Sequence, residues 1–157
     1  DWLSQVTYYA TTLAHTPYTS YALIVENSWN FLIGLFALWY AGKKVIIPPN
    51  NLPLTLKHIS GGFEAVLNDD DFKCVYSNNS TKYLLEPLCA ERCELIIYTS
   101  GSTGEPKPVF KTLEQFEAEL KVLHQLWGDQ YIFSTLYSEG VFGIGHPESP
   151  RSGRRRI

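Results

Sequence analysis

Leu95-Ile-Ile-Tyr-Thr-Ser-Gly-Ser-Thr-Gly-Glu-Pro-Lys-Pro-Val109 joins an apolar run to a hydroxyl- and glycine-rich segment, and the rest of the chain is arranged around it. Leu95 to Tyr98 is an apolar run of strand type that empties directly into hydroxyls and glycines, then closes on Pro106 and Lys107. A buried strand ending in such a loop presents backbone N–H groups to an anion. Gly101 and Gly104 permit backbone angles closed to other residues, so successive N–H groups can turn to one side. Thr99, Ser100, Ser102 and Thr103 add hydroxyl donors, and Lys107 adds a cation that stays charged near neutral pH. Such a set of groups binds anionic oxygens, with the phosphates of ATP as the leading ligand. The plainer alternative is a Ser/Gly-rich surface turn between two strands.

Outward from this stretch, strands and helices alternate. Leu3, Val6, Tyr9, Ala10 and Leu13 recur at helical spacing between Trp2 and His15. Tyr21 to Val25 reads as a strand, and Asn27 or Ser28 as the N-cap of an almost wholly apolar helix from Trp29 to Tyr40, ended by Gly42. Lys44 to Ile47 is the next strand, closed by Pro48-Pro49. Asn50 or Asn51 is placed to cap a short helix with Pro53 in its first turn, stopped by Gly61-Gly62. Ala65 to Leu67 and Cys74 to Tyr76 read as short strands on either side of a polar turn, Asn68-Asp69-Asp70-Asp71. Those acids are consecutive and lack a further ligand, so a solvated loop is the expectation rather than a metal site.

Past the loop, Thr112 and Gln115 form a capping-box pair. The helix that follows carries Leu113, Phe116, Leu120, Leu123 and Trp127 on one face, which reads as core, with His124 beside it as an ordinary histidine. Tyr131 to Ser134 is the last strand expected. Alternation of this kind predicts an α/β fold with a largely parallel sheet flanked by helices.

Composition narrows the function classes. The chain has 157 residues, 45% hydrophobic and 18% charged, enough for one domain with a core. Four of its thirteen basic residues (Arg151, Arg154, Arg155, Arg156) stand in the last seven positions, and the other nine face sixteen acids. An acidic body gives no support to general nucleic-acid binding. The apolar run from Phe31 to Ala41 is well short of the roughly 20 residues needed to cross a bilayer. Cys74, Cys89 and Cys93 build no disulfide framework and suit a reducing compartment, so a cytoplasmic location is expected. Cys89 and Cys93, spaced to share a helix face, read as ordinary thiols with no metal. Asn78 and Asn79 each begin a glycosylation-type triplet, a pattern common by chance.

The loop is not a Walker A sequence, which ends in Gly-Lys-Ser/Thr. Tyr98 to Lys107 instead matches throughout the string Tyr/Phe-Thr-Ser-Gly-Ser/Thr-Thr-Gly-x-Pro-Lys, and in this the chain resembles the adenylate-forming (AMP-binding) enzyme superfamily. Tyr21-Ala-Leu-Ile-Val25, Asn27-Ser28, Phe31, Ala37 to Gly42 and Val45 to Pro48 are similar to the opening of that family's large domain. Trp39-Tyr40-Ala41-Gly42 and Pro48-Pro49-Asn50 lean towards acyl-CoA-synthetase-like members. The likeness covers roughly Trp2 to Thr135 and is densest at the loop.

The resemblance implies a partial N-terminal domain of an adenylate-forming enzyme over 1–136 and a non-family tail over 137–157, disordered or translated out of frame. It implies that a small carboxylic acid, fatty or aryl, attacks the α-phosphorus of ATP to give an acyl-adenylate and pyrophosphate. CoA, or the phosphopantetheine of an acyl carrier protein, would then accept the acyl group. Thr99, Ser100, Gly101, Ser102, Thr103 and Gly104 would hold the β- and γ-phosphates. Lys107 would be the catalytic cation meeting charge on the leaving pyrophosphate, with Mg²⁺ sharing that charge through ligands outside this chain.

Departures from the family pattern are specific. Pro108 stands where glycine usually follows the lysine, and Gly140 where a histidine precedes the aromatic–glycine trace Phe142-Gly143, with His146 several residues late. The family's adenine, ribose and C-terminal lysine motifs fall beyond residue 157. The expectation is therefore a fragment that leaves a sheet edge and apolar helix faces uncovered, around Trp29 to Tyr40 and along the Phe116–Trp127 stripe. An inactive remnant or interaction module is the alternative, and an unrelated phosphate-binding protein sharing only the loop is the second rival.

Overall fold

The computed structural model describes residues 1–73, 85–99, 105–127, 135–137 and 140–143. Helix α1 (Trp2–Ala14) buries Val6, Tyr9, Ala10 and Leu13 of the stripe read from its spacing, while Leu3, in the first turn, is exposed. Helix α2 (Ser28–Tyr40) starts where Asn27 Oδ1 accepts from the N–H groups of Trp29 and Asn30 at 2.9 and 3.1 Å. It ends in a two-bond Schellman closure: Lys43 N–H donates to the Leu38 carbonyl at 2.8 Å and Gly42 N–H to that of Trp39 at 3.0 Å. That closure requires a left-handed residue, and Gly42 has φ +68°.

Strands β1 (Ser20–Ile24), β2 (Lys44–Ile47), β3 (Ala65–Asn68), β4 (Glu94–Thr99) and β5 (Lys107–Thr112) make one sheet in the order β3-β1-β2-β4-β5. The first four are parallel, and β5 returns antiparallel to β4. The fold is α/β with a largely parallel sheet flanked by helices. Side chains alternate across a strand, so the two faces can be read from the register. Tyr21, Leu23, Val45, Leu67, Leu95 and Ile97 join the α1 and α2 stripes in one core. On the other face a row runs Val66, Ala22, Ile46, Ile96, Phe110 across all five strands. Its middle three residues are buried, whereas Phe110 is 69% exposed. Strands β6 (Thr135–Tyr137) and β7 (Gly140–Gly143) form a separate antiparallel pair.

Several expectations need correction. Strand β5 was not foreseen: its outward residues Lys107 to Phe110 are exposed, so it lacks the apolar alternation of a half-buried strand. The α2 face expected to lie uncovered is buried at Phe31, Ile33, Leu35, Leu38 and Trp39 because α1 and the sheet pack on it, and the stripe of α4 (Leu113–Trp127) is core only at its start. Leu113 and Phe116 pack against the buried cluster, but Leu120 is 60% exposed. Amphipathic spacing shows that a face is apolar, not that anything covers it.

Helix α3 (Pro53–Ile59) has Leu52 at its N-cap with no side-chain cap, and Asn50 Oδ1 accepts the Leu52 N–H in the turn before it. Pro53 brings no N–H to the first turn, which reduces the donors a cap would serve. Asp69 to Phe72 is a 3-10 turn closed by an Asn68–Asp71 capping box, not a simple solvated loop. Cys89 and Cys93 are free thiols flanking a turn rather than sharing a helix, because Arg92 N–H closes back on the Cys89 carbonyl at 2.9 Å. Burial pushes the Cys93 thiol up, with Cys89 adding to it. The expected strands at 74–76 and 131–134, Asn78, Asn79 and His146 lie outside the described residues.

Candidate functional site

Four parallel strands bring all their carboxyl ends to one edge of the sheet, the edge where open α/β sheets bind ligands. At this edge β4 changes character along its length. Leu95, Ile96 and Ile97 are buried, while Tyr98 and Thr99 are half-buried. Trp39 Nε1 donates to the Glu94 carbonyl at 3.1 Å and fixes the start of the strand. Ladders on both sides, to β2 and β5, fix the rest. Such a strand is a rigid platform for the loop that leaves it.

Strands β4 and β5 are in register over six pairs, from Glu94 opposite Thr112 to Thr99 opposite Lys107. Thr99 and Lys107 are therefore the last ladder pair before the loop, and Thr99 Oγ1 donates to the Lys107 carbonyl at 3.4 Å. That bond is at the long limit and is readily given up. Ser100, Gly101, Ser102, Thr103 and Gly104 lie outside the described residues. Of the sequence-predicted set, the structure thus brings together Thr99 and Lys107.

Two lysines of β5 differ in how they are used. Lys111 pairs with Glu119 and lies 5.8 Å from the centre of the Phe116 ring. Lys107 is exposed, and among the described residues its ammonium has no hydrogen bond or ion pair. A cation kept free at the mouth of a loop is available to an anion.

Polar clamps tie the other strand ends of this edge together. Asp69 Oδ2 accepts from the Glu26 N–H at 2.8 Å and Asp69 Oδ1 from Asn30 Nδ2 at 3.0 Å. Burial alone would push the Asp69 carboxyl up, but the bonds from Asn30 and from the Glu26 and Asn27 backbone, with Lys73 nearby, hold it below its ordinary value. The sequence reading missed this role, and a lone acid after a strand carries no signal for partners some forty positions away. Among the described residues no three His, Cys, Asp or Glu side chains gather to hold a metal, and no helix is long and apolar enough to cross a membrane.

No protein-family model matches the chain, and no curated protein does. Among solved structures, the amide bond synthetase McbA from Marinactinospora thermotolerans is 17% identical, covering 83% of this chain and 33% of its own, at a TM-score of 0.48. A fatty acyl CoA synthetase of Mycobacterium tuberculosis is 18% identical over 74% of this chain and 29% of its own, at 0.42. A long-chain-fatty-acid-CoA ligase from Archaeoglobus fulgidus is 15% identical over 77% and 31%, also at 0.42. The chain thus spans about a third of the length of these structures. Identities and TM-scores of this size do not assign it to a family.

Proposed function

We propose that the β4–β5 loop binds the phosphates of ATP, as part of an enzyme that activates a carboxylate by adenylation. The observation that carries this reading is the Thr99–Lys107 closing pair. It sets a hydroxyl and an ammonium unpaired among the described residues at the mouth of a Gly/Ser/Thr segment, on the carboxyl edge of a parallel sheet. A loop of this composition supplies N–H and O–H donors to phosphate oxygens, and Lys107 supplies charge as pyrophosphate departs. The resemblance of Tyr98 to Lys107 to the adenylate-forming loop supports the same chemistry.

In this reading Thr99 and Lys107, a hydroxyl donor and a cation, fit the anionic end of ATP, with the exposed Glu105 the one acid of the loop. Mg²⁺ would arrive with the nucleotide and neutralise part of the triphosphate charge. A fatty or aryl acid is the substrate class, CoA or a carrier's phosphopantetheine the acyl acceptor, and the cytoplasm the compartment. The proposed division is 1–136 for the nucleotide-binding part and 137–157 for a segment outside it.

Competition tests the loop reading. MgATP bound to the chain should be displaced by inorganic tripolyphosphate and not by adenosine, because the described groups address phosphate alone. Displacement by adenosine alone would refute it. A second reading, an interaction module without catalysis, draws on the exposed Leu120, Val122 and Leu126 of α4. Carboxylate-dependent exchange of pyrophosphate into ATP separates the two, since only the catalytic reading supports exchange.

A further inference from the structure

The edge of the sheet opposite the proposed ATP site holds a cavity of about 470 Å³ where β1, β2 and β4 begin. From Glu94 to Thr99 the strand rises about 3.3 Å per residue, so the two places are roughly 17 Å apart. Lys43, Lys44 and Arg92 line the cavity, with Glu94 as its one acid. In a chain of net charge −3 this is a local reversal of sign.

Each cation has a different standing. Lys43 Nζ donates to the carbonyls of Thr16 and Tyr18 at 3.1 and 2.7 Å, which fixes the ammonium without neutralising it. Lys44 pairs with Glu94 at 2.9 Å, both side chains about half exposed. Arg92 has no side-chain hydrogen bond or ion pair among the described residues. The neighbouring Glu64 is taken up by the Thr19 N–H and hydroxyl at 2.5 and 2.9 Å, which hold its carboxyl below the ordinary value. Three cations therefore face two engaged carboxylates, and the surplus sits on a guanidinium whose planar fork matches a carboxylate or phosphate. Gly42 leaves one wall of the cavity without a side chain, and a Cβ added there would meet nothing within 4 Å.

We infer that this cavity is a second anion site, which takes a carboxylate- or phosphate-bearing small molecule through Arg92, with Lys43 and Lys44 beside it. It is independent of the β4–β5 loop. The volume suits a metabolite-sized ligand, and the charged lining suits a hydrophilic one. Freeing Lys44 from Glu94 should strengthen the site, a sign that distinguishes an anion site from a cation site.

The probe is inorganic phosphate, titrated at low salt into the isotopically labelled chain and followed by the amide resonances of Ser20 and Lys44. Expected are saturable shifts with a Kd of about 1 mM, an exposed-site affinity. Arg92→Gln should weaken it about tenfold, Glu94→Gln should tighten it, and Lys107→Ala should leave it unchanged. Shifts that do not saturate, that are the same in Arg92→Gln, or that weaken in Glu94→Gln would overturn the inference. Shifts abolished by Lys107→Ala alone would overturn it too while favouring the loop. Failure of the wild-type chain to bind MgATP, with the Ser20 and Lys44 shifts intact, would sink the loop reading and leave this one standing.

Discussion

Replacing Asp69 by alanine should destabilise the chain by an amount set by two hydrogen bonds. Its carboxylate accepts from the Glu26 N–H and from Asn30 Nδ2, joining the turn after β3 to the β1–α2 loop. A hydrogen bond to a charged group contributes about 1.5–3 kcal/mol when shielded, and solvent reduces that for a half-exposed carboxylate, so about 1–2 kcal/mol is expected for the pair. At roughly 2–4 °C per kcal/mol for a chain of this size, Tm should fall by about 2–8 °C. Asp69→Asn keeps one acceptor and should lose about half.

The pH dependence has a definite sign. The folded carboxyl titrates below its ordinary value of 3.8, so its contribution is present above that value and is lost as pH falls through the folded pKa. Urea unfolding of wild type and Asp69→Ala across pH 3–7 should show a constant gap above about pH 5 that closes on acidification. A gap that widens in acid, or none at neutral pH, would refute the reasoning.

Three further substitutions address the packing and the caps. In Gly34→Ala the added Cβ would meet Leu23 Cδ1 and Phe72 Cζ at 2.9 Å, so overpacking of about 1–3 kcal/mol should exceed the roughly 1 kcal/mol helix-propensity gain, read as a lower urea midpoint. At Gly42 a Cβ meets nothing within 4 Å, so Gly42→Ala should cost about 1 kcal/mol from the left-handed backbone alone, with the m-value unchanged. Thr112 Oγ1 and Gln115 Oε1 exchange bonds with each other's N–H at 3.4 and 3.1 Å, so Thr112→Ala should cost about 1 kcal/mol and speed amide exchange in the first turn of α4.

What the sequence made legible was what short-range chemistry decides. The Gly42 closure, the α2 helix and the Thr112–Gln115 box each depend on residues within five positions and stand as read, and of the two N-cap candidates the structure uses Asn27. The misreadings need neighbours distant in the chain. Asp69 meets partners 39 and 43 positions away, and nothing in three consecutive acids announces that. Strand β5 has its Lys107–Phe110 side chains in solvent, so it is defined by pairing with β4 and not by its own pattern. Of the candidate site, the sequence proposed residues but did not show the antiparallel pairing that sets Thr99 against Lys107. Arg92 gave no signal, because only the fold places it in one cavity with Lys43 and Lys44.

If Lys107 holds the phosphates of ATP at the mouth of the β4–β5 loop, removing its charge must weaken nucleotide binding. Calorimetric titration of MgATP into wild type, Lys107→Ala and Lys107→Arg tests it most directly, with circular dichroism confirming that each variant is folded. A charge-assisted bond of about 1.5–3 kcal/mol predicts affinity about ten- to hundredfold weaker in Lys107→Ala, largely recovered in Lys107→Arg. Equal affinity for MgATP in folded wild type and Lys107→Ala would contradict it.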